Sequence, residues 1–340
     1  MDMNLKKNLL SGKKILFFSP AFFGYEDKIV YKMRELGAIV DAYDARSVTK
    51  AWEKALLKVD TRIFNRKTEK YYADIYSRVR KTNYDYVLFV KCDMPTERIL
   101  GNFRRHFKSA IFCLHMWDSI KNIPNIEKKF KYFDYISSFD RVDCQNNPQL
   151  NFRPLYYCDQ YRKEQRIDDG YEYDLCFIGT IHSDRWEILK EIRKQADNRG
   201  LKVFYYPYLQ SKFIYWFYKM IKPEFRDTDI NEFKFKKISS EEIAEKVDKS
   251  KVIIDIQHPG QSGLTIRTIE MMGMNKKLMT TNRDIINYDF YNENNILILD
   301  RDNIEVRMDF FENDYQTIGE ELYGRYSLES WIEDVLNLNG

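Results

Sequence analysis

Short apolar runs alternate with amphipathic stretches along most of the chain. Lys14-Ile15-Leu16-Phe17-Phe18-Ser19 has the length and composition of a buried strand, and it runs into a Pro-containing loop from Pro20 to Tyr25. Between Glu26 and Leu36 the apolar residues Ile29, Val30, Met33 and Leu36 recur at helical spacing on one face. Gly37 stops that helix, and Ala38-Ile39-Val40-Asp41-Ala42-Tyr43 resumes as a strand. Strand, helix and strand in this order predict a parallel sheet with right-handed crossovers. The rhythm continues with a strand at 84–90, a helix at 96–106 and a strand at 110–114. A short helix at 126–132 and a strand at 134–138 follow, and the charged stretch 50–82 reads as helical.

From 145 to 172 the alternation lapses. Asn146-Asn147-Pro148, Arg153-Pro154 and the charged residues from Arg162 to Gly170 read as a connection between domains. The opening pattern then repeats: a strand at 173–178, a small-residue loop at 179–185, a helix from Trp186 to Asn198, a cap at Gly200 and a strand at 201–206. Beyond it the pattern gives a helix at 240–249, a strand at 251–256, a helix from Gly263 to Met272, strands at 277–281 and 296–299, and a last helix at 327–336. The chain is thus expected to hold two α/β, Rossmann-like domains. These are residues 1–155 and residues 173–325, with 156–172 as linker and 326–340 as a helix returning to the first domain.

Bulk properties narrow the function. At 340 residues the chain suits two domains of roughly 150 each. Its 55 basic and 52 acidic residues leave +3, without the concentrated basic field of a nucleic-acid binder, so no nucleic-acid partner is expected. Aromatic residues make up 16%, including 25 Tyr and 23 Phe. Ring faces of that kind suit sugars, although codon usage favouring Phe, Tyr, Lys, Ile and Asn produces the same excess. The five cysteines lack a paired spacing and several sit in apolar runs, which reads as buried, reduced thiols and not as zinc ligands. No stretch has the length of a signal peptide core or a membrane span, so a cytoplasmic protein is expected.

The most informative segment is His258-Pro259-Gly260-Gln261-Ser262-Gly263-Leu264-Thr265-Ile266-Arg267-Thr268-Ile269-Glu270. It leaves a strongly β-forming run, Val252 to Ile256, turns at Pro259-Gly260 and enters a helix for which Ser262 is a plausible N-cap. A helix start without bulky side chains suits a phosphate, because its amides and dipole favour negative charge. Arg267 adds a cationic donor one turn in, and Glu270 shares its face three residues on. About 10 Å of helix would separate Gly263 from Glu270, the reach from a diphosphate to ribose hydroxyls. The same spacing equally suits an ion pair within the helix.

This segment, with the following Lys276-Lys277-Leu278-Met279-Thr280-Thr281-Asn282, resembles the donor site of bacterial GT-B glycosyltransferases. The similarity is greatest to those of capsule, lipopolysaccharide and spore-coat polysaccharide synthesis. Their pattern is a small-residue turn, Gly-Leu-Thr-x-Arg-x-x-Glu and a Lys-x-Leu-x-Thr-Thr-Asn strand. Asp289-Phe290-Tyr291-Asn292 and Asn295-Ile296 match it as well. The resemblance covers residues 173–305 and reaches the first half only in outline. It implies two Rossmann-like domains facing each other across a cleft. It also implies a nucleotide-sugar donor, with Glu270 on the ribose and Arg267 near the diphosphate. His258, Gln261, Ser262, Gly263, Leu264 and Thr265 would form the turn around the donor. Gly179, Thr180, His182 and Arg185, in the loop that opens the second domain, would contact its phosphates or sugar. The partners it implies are that donor and a glycan or lipid-linked glycan acceptor.

Inverting transfer needs a base for the acceptor hydroxyl. Strand ends in the first half offer Glu26 and Asp27, Asp93, and Asp118 beside Trp117. Asp118 or Glu26 is the expected catalytic carboxylate. Asp227-x-Asp229 and Asp300-x-Asp302 resemble metal motifs but lie in charged, loop-like stretches, and no cofactor or required metal is expected. The aromatic, lysine-bearing stretch 211–223 reads either as a core helix or as a peripheral membrane contact. A nucleotide-sugar epimerase of the same fold, and a binding module without catalysis, are the alternative functions.

Overall fold

The computed structural model describes residues 8–48, 64–163 and 170–338. They belong to two compact units, Met1–Pro154 with Leu328–Gly340, and Leu155–Ser327. In the first unit the strands are β1 (Lys14–Ser19), β2 (Ile39–Asp44), β3 (Tyr86–Val90), β4 (Ile111–Met116), β5 (Tyr135–Ser138) and β6 (Asn151–Phe152). They lie in the order β2-β1-β3-β4-β5-β6 with every pairing parallel. Helices α1 (Tyr25–Glu35), α2 (Asn65–Val79), α3 (Glu97–His106) and α4 (Arg141–Asn146) connect them. The central strands β1, β3 and β4 are apolar along nearly their whole length because they are covered on both faces, whereas the edge strands β2 and β6 are largely exposed. Phe18 and Phe89 stack at 4.4 Å in the interior. From α2, Tyr72 reaches the same core and donates its hydroxyl to the Ala45 carbonyl at 2.8 Å, so its polar end is satisfied.

The second unit carries β7 (Tyr173–Thr180), β8 (Val203–Tyr208), β9 (Ser250–Asp255), β10 (Lys277–Thr280) and β11 (Ile296–Ile298). They form an all-parallel sheet in the order β11-β10-β9-β7-β8. Its helices are α5 (Arg185–Asn198), α6 (Lys212–Ile221), α7 (Ser240–Asp248), α8 (Ile266–Gly273), α9 (Asp309–Glu312) and α10 (Glu320–Arg325). In each sheet the chain steps from its first strand to one side and then returns to the other. The reversals fall between β1 and β3 and between β7 and β9. Such reversals are where open α/β sheets place ligands, at the carboxyl ends of the strands.

The last helix, α11 (Leu328–Val335), belongs to the first unit. Trp331 is fully buried there with its ring 4.9 Å from His115 on β4, and Arg153 meets Asp334 at 2.7 Å.

Three expectations need correction. The stretch 156–172 is not a free linker. Tyr156, Tyr157, Cys158 and Tyr161 are buried in the second unit, and the Tyr157 amide bonds the Tyr326 carbonyl at 2.9 Å. Residues 164–169 of that stretch, and 50–63 of the charged stretch 50–82, lie outside the described residues; the rest of the latter contains α2. Helix α8 begins at Ile266 and not at Gly263, with Thr265 as N-cap in place of Ser262. The cause is tertiary: Asp255, at the end of β9, accepts hydrogen bonds from the Thr265 and Thr268 hydroxyls, each at 2.7 Å, and so fixes where the helix starts. The core-helix reading of 211–223 fails in its orientation, because the broad apolar stripe of α6 faces outward.

Candidate functional site

The ends of β7, β9, β10 and β11 converge on one edge of the second sheet, and two arginines tie them together. Arg185 donates to the Thr180 carbonyl at the end of β7 at 2.7 Å and to the Ile256 carbonyl just after β9. Burial draws its pKa below the ordinary arginine value, against the pull of Asp255 and Asp184. Gly179 keeps room for this arrangement, since a Cβ there would sit 3.1 Å from the Phe177 ring and 3.5 Å from the Arg185 guanidinium. Arg301, just past β11, pairs with Asp184 and donates to the Gln257 carbonyl at 2.7 Å and the Thr281 hydroxyl at 3.0 Å. Sequence reasoning missed Arg301, seeing only the Asp300-x-Asp302 carboxylates around it. Its position directly after a strand was the available signal.

The loop between β9 and α8 is held from several sides. Gln257 is buried and bonds Thr281 through both ends of its amide. The Asn282 amide donates to the Ser262 carbonyl at 3.1 Å, and Gln261 donates to the Gly263 carbonyl at 3.0 Å. Leu264 is buried beneath the loop and His258 is exposed on it. Gln257, Ser262, Thr281, Asn282 and the cations Arg283 and Arg301 line an open groove of ≈ 430 Å³, together with the carboxylates of Asp284, Asp300 and Asp302. His182 and His258 bring their rings to 5.7 Å. Burial, reinforced by Arg185, pulls the His182 pKa down to about 4, so at neutral pH it is an uncharged donor and acceptor.

Arg267 and Glu270 meet within α8 at 3.1 Å, and the Glu270 side chain is 0% exposed. The ion pair is therefore the arrangement present, and the carboxylate is not open to a ribose in this conformation. Tyr161 packs beside the pair. Burial and the Glu270 charge push its phenol up to about 12, partly offset by Arg267. Gly273 closes the helix against this segment, where a Cβ would fall 2.6 Å from the Tyr157 ring and 2.7 Å from the Tyr161 carbonyl.

In the first unit, Asp118 accepts from Lys91 Nζ at 2.6 Å, from the Asn122 amide at 2.8 Å and from the Ser119 backbone at 3.1 Å. Lys91 has φ 55, left-handed and uncommon for a lysine, at the end of β3 beside the reversal. Trp117, next to Asp118, meets Phe22 and Tyr25 edge-on at 6.3 and 6.0 Å. Glu26 accepts from the Phe22 amide at 2.9 Å and so braces the loop before its own helix. Asp93 pairs with Arg46 at 3.0 Å. Asp27 lies in the first turn of α1, where a carboxylate favours the helix. Among the described residues no group of three or more His, Cys, Asp or Glu is placed to hold a metal ion. Asp229 caps a short 3₁₀ turn, and Asp300 bonds Arg283 and the Asp302 amide.

No family model matches the sequence, and no curated protein matches it. Solved structures share its fold. Anabaena HepE in complex with UDP-glucose superposes with a TM-score of 0.60 at 10% identity, over 96% of this chain and 99% of that one. UDP-GlcNAc 2-epimerase from Methanocaldococcus jannaschii gives 0.54 at 8% identity, over 96% and 99%. The Neisseria meningitidis UDP-GlcNAc 2-epimerase bound to UDP-GlcNAc gives 0.54 at 8% identity, over 96% and 100%. The fold is therefore of the GT-B type, with two Rossmann-like α/β units.

Proposed function

We propose that the chain is a glycosyltransferase that takes a nucleotide-sugar, UDP-linked in the first instance, at the carboxyl edge of its second sheet. The observation that carries the reading is that edge itself, where Arg185 and Arg301 hold together loops from four strand ends beside an open groove. Backbone amides at a helix start and fixed cations suit a departing diphosphate, so transfer in this reading requires no metal. Gly179, Thr180 and His182 belong to the rim on one side, and His258 and Gln261 to Thr265 on the other. Arg267 binds the diphosphate, and Glu270 acts by aiming Arg267. Asp118, with Trp117 alongside and Lys91 as its charge partner, is the carboxylate assigned to the acceptor proton. The acceptor in this reading is a growing surface polysaccharide or a lipid-linked glycan, of the capsule or lipopolysaccharide kind, met in the cytoplasm or at the inner membrane face. Epimerisation is the second reading, favoured by the two UDP-GlcNAc 2-epimerases that share the fold.

Titration calorimetry of the parent and of Glu270→Ala with UDP and with uridine tests the site. Loss of an aimed, charge-assisted contact weakens UDP about tenfold or more and leaves uridine unchanged. A matching loss for uridine restores direct ribose contact. Parent-like affinity of Glu270→Ala for both ligands defeats the assignment. Incubating the parent with a panel of UDP-sugars then separates the activities. Release of UDP and free sugar indicates transfer chemistry, and conversion of one sugar to its epimer indicates the alternative.

A further inference from the structure

Helix α6 stands inside out. Phe213, Trp216, Phe217, Met220 and Ile221 recur at the spacing of a single helical face, and that face is in water: Phe213 is 78%, Met220 77%, Trp216 57%, Ile221 54% and Phe217 45% exposed. The opposite side packs on the core through Ile214, Tyr215 and Tyr218. The lysines at its C-terminal end turn inward. Lys219 donates to the Thr228 carbonyl at 2.7 Å, and Lys222 donates to the Ser183 carbonyl at 2.7 Å and pairs with Glu224 at 3.3 Å. Lys212, at the first position of the helix, is exposed. Five large apolar side chains gathered on one exposed face mark a contact surface, not a scatter of single residues.

Charge indicates what covers the face. Helix α6 carries no carboxylate, and Lys212 stands exposed at its first turn, while Lys219 and Lys222 are bonded inward beside the apolar face. A protein partner core is depleted in lysine, whereas a bilayer interface combines Trp and Phe at the headgroup level with lysines facing anionic lipid. At ten residues α6 is too short to span, and no described helix is long and apolar enough to cross a membrane. A helix with one apolar face and an exposed cation at its edge, here Lys212, lies in the plane of the interface. We propose that α6 docks the second unit on an anionic membrane surface, inserting Phe213, Trp216, Phe217, Met220 and Ile221 among the acyl chains. The proposal does not depend on the activity assigned above.

The test is sedimentation of the full chain with large unilamellar vesicles, either phosphatidylglycerol and phosphatidylcholine mixed or phosphatidylcholine alone. A triple variant, Phe213→Ser, Trp216→Ser and Met220→Ser, serves as the comparison, with light scattering across a concentration series. The parent is expected to partition onto the anionic vesicles at least tenfold better than the triple variant and better than onto the neutral ones, and to remain monomeric. UDP affinity of the triple variant stays at the parent value, which separates this result from failure of the nucleotide site. Equal partitioning of parent and variant overturns the proposal. So does a concentration-dependent dimer of the parent that the triple variant does not form, because the face is then an interface between copies. If the triple variant fails to fold, Trp216→Phe replaces it: absence of a blue-shifted, lipid-shielded emission contribution from Trp216 on anionic vesicles overturns the proposal equally.

Discussion

His115 sits on β4, two residues before Trp117, and is buried completely between Ser137 and Trp331. Its Nδ1 lies 2.9 Å from the Ser137 hydroxyl, while Nε2 is buried without a hydrogen-bond partner among the described residues. Burial, with Arg153 adding to it, pulls its pKa from 6.5 down to about 3. The unfolded chain therefore takes up a proton below pH 6.5 that the folded chain refuses until about pH 3. Stability is full above the unfolded pKa and falls as acid is added through that window. One proton amounts to about 1.4 kcal/mol per pH unit, so between pH 7.5 and 5 the loss from this residue is about 2 kcal/mol. Denaturation midpoints of the parent and of His115→Leu, measured from pH 7.5 to 5, isolate the term. The variant starts lower, because Ser137 loses its partner at a cost of about 1–3 kcal/mol. It then loses about 2 kcal/mol less than the parent over the same range. Identical acid slopes in the two proteins would refute the argument, whatever their absolute stabilities.

Two further outcomes follow from the geometry. Gly273→Ala gains about 1 kcal/mol of helix propensity but drives a methyl into the Tyr157 ring and the Tyr161 carbonyl. Because a backbone atom cannot yield cheaply, a net loss of about 1–3 kcal/mol is expected by chemical denaturation, and a stabilised variant would contradict the packing described. Asp118→Asn is expected to lower turnover of donor and acceptor by about a hundredfold with donor KM unchanged, while Glu26→Gln, which only loosens a loop, leaves turnover within about threefold. The reverse ranking in steady-state assays would move the catalytic assignment to Glu26.

Both sheets were legible in the chain, because strands covered on both faces must be written as apolar runs such as Ile15 to Phe18 and Val252 to Ile254. What escaped depends on contacts distant in sequence. Ser262 looked like an N-cap by residue type, yet the carboxylate of Asp255 selects Thr265. Tyr157 and Tyr161 lie among prolines and charges and so resembled a linker, although both are buried against α8 and its surroundings. The apolar spacing in α6 gives which residues share a face, but nothing local says whether protein or water covers it. Arg301 disappeared between two aspartates, since its partners arrive from three other strand ends. The Arg267–Glu270 spacing suited ligand and ion pair equally, and only burial distinguishes the two.

The arginine ties at the second sheet have a thermodynamic meaning of their own. Arg185 bonds carbonyls at the ends of two different strands, and Arg301 reaches residues after β7, β9 and β10. Loops that would otherwise lose conformational freedom when a ligand arrives have already lost it in folding. The ordering entropy is charged to the stability of the unit and not to association, so contacts made by any ligand arriving at this edge would register almost undiminished as affinity.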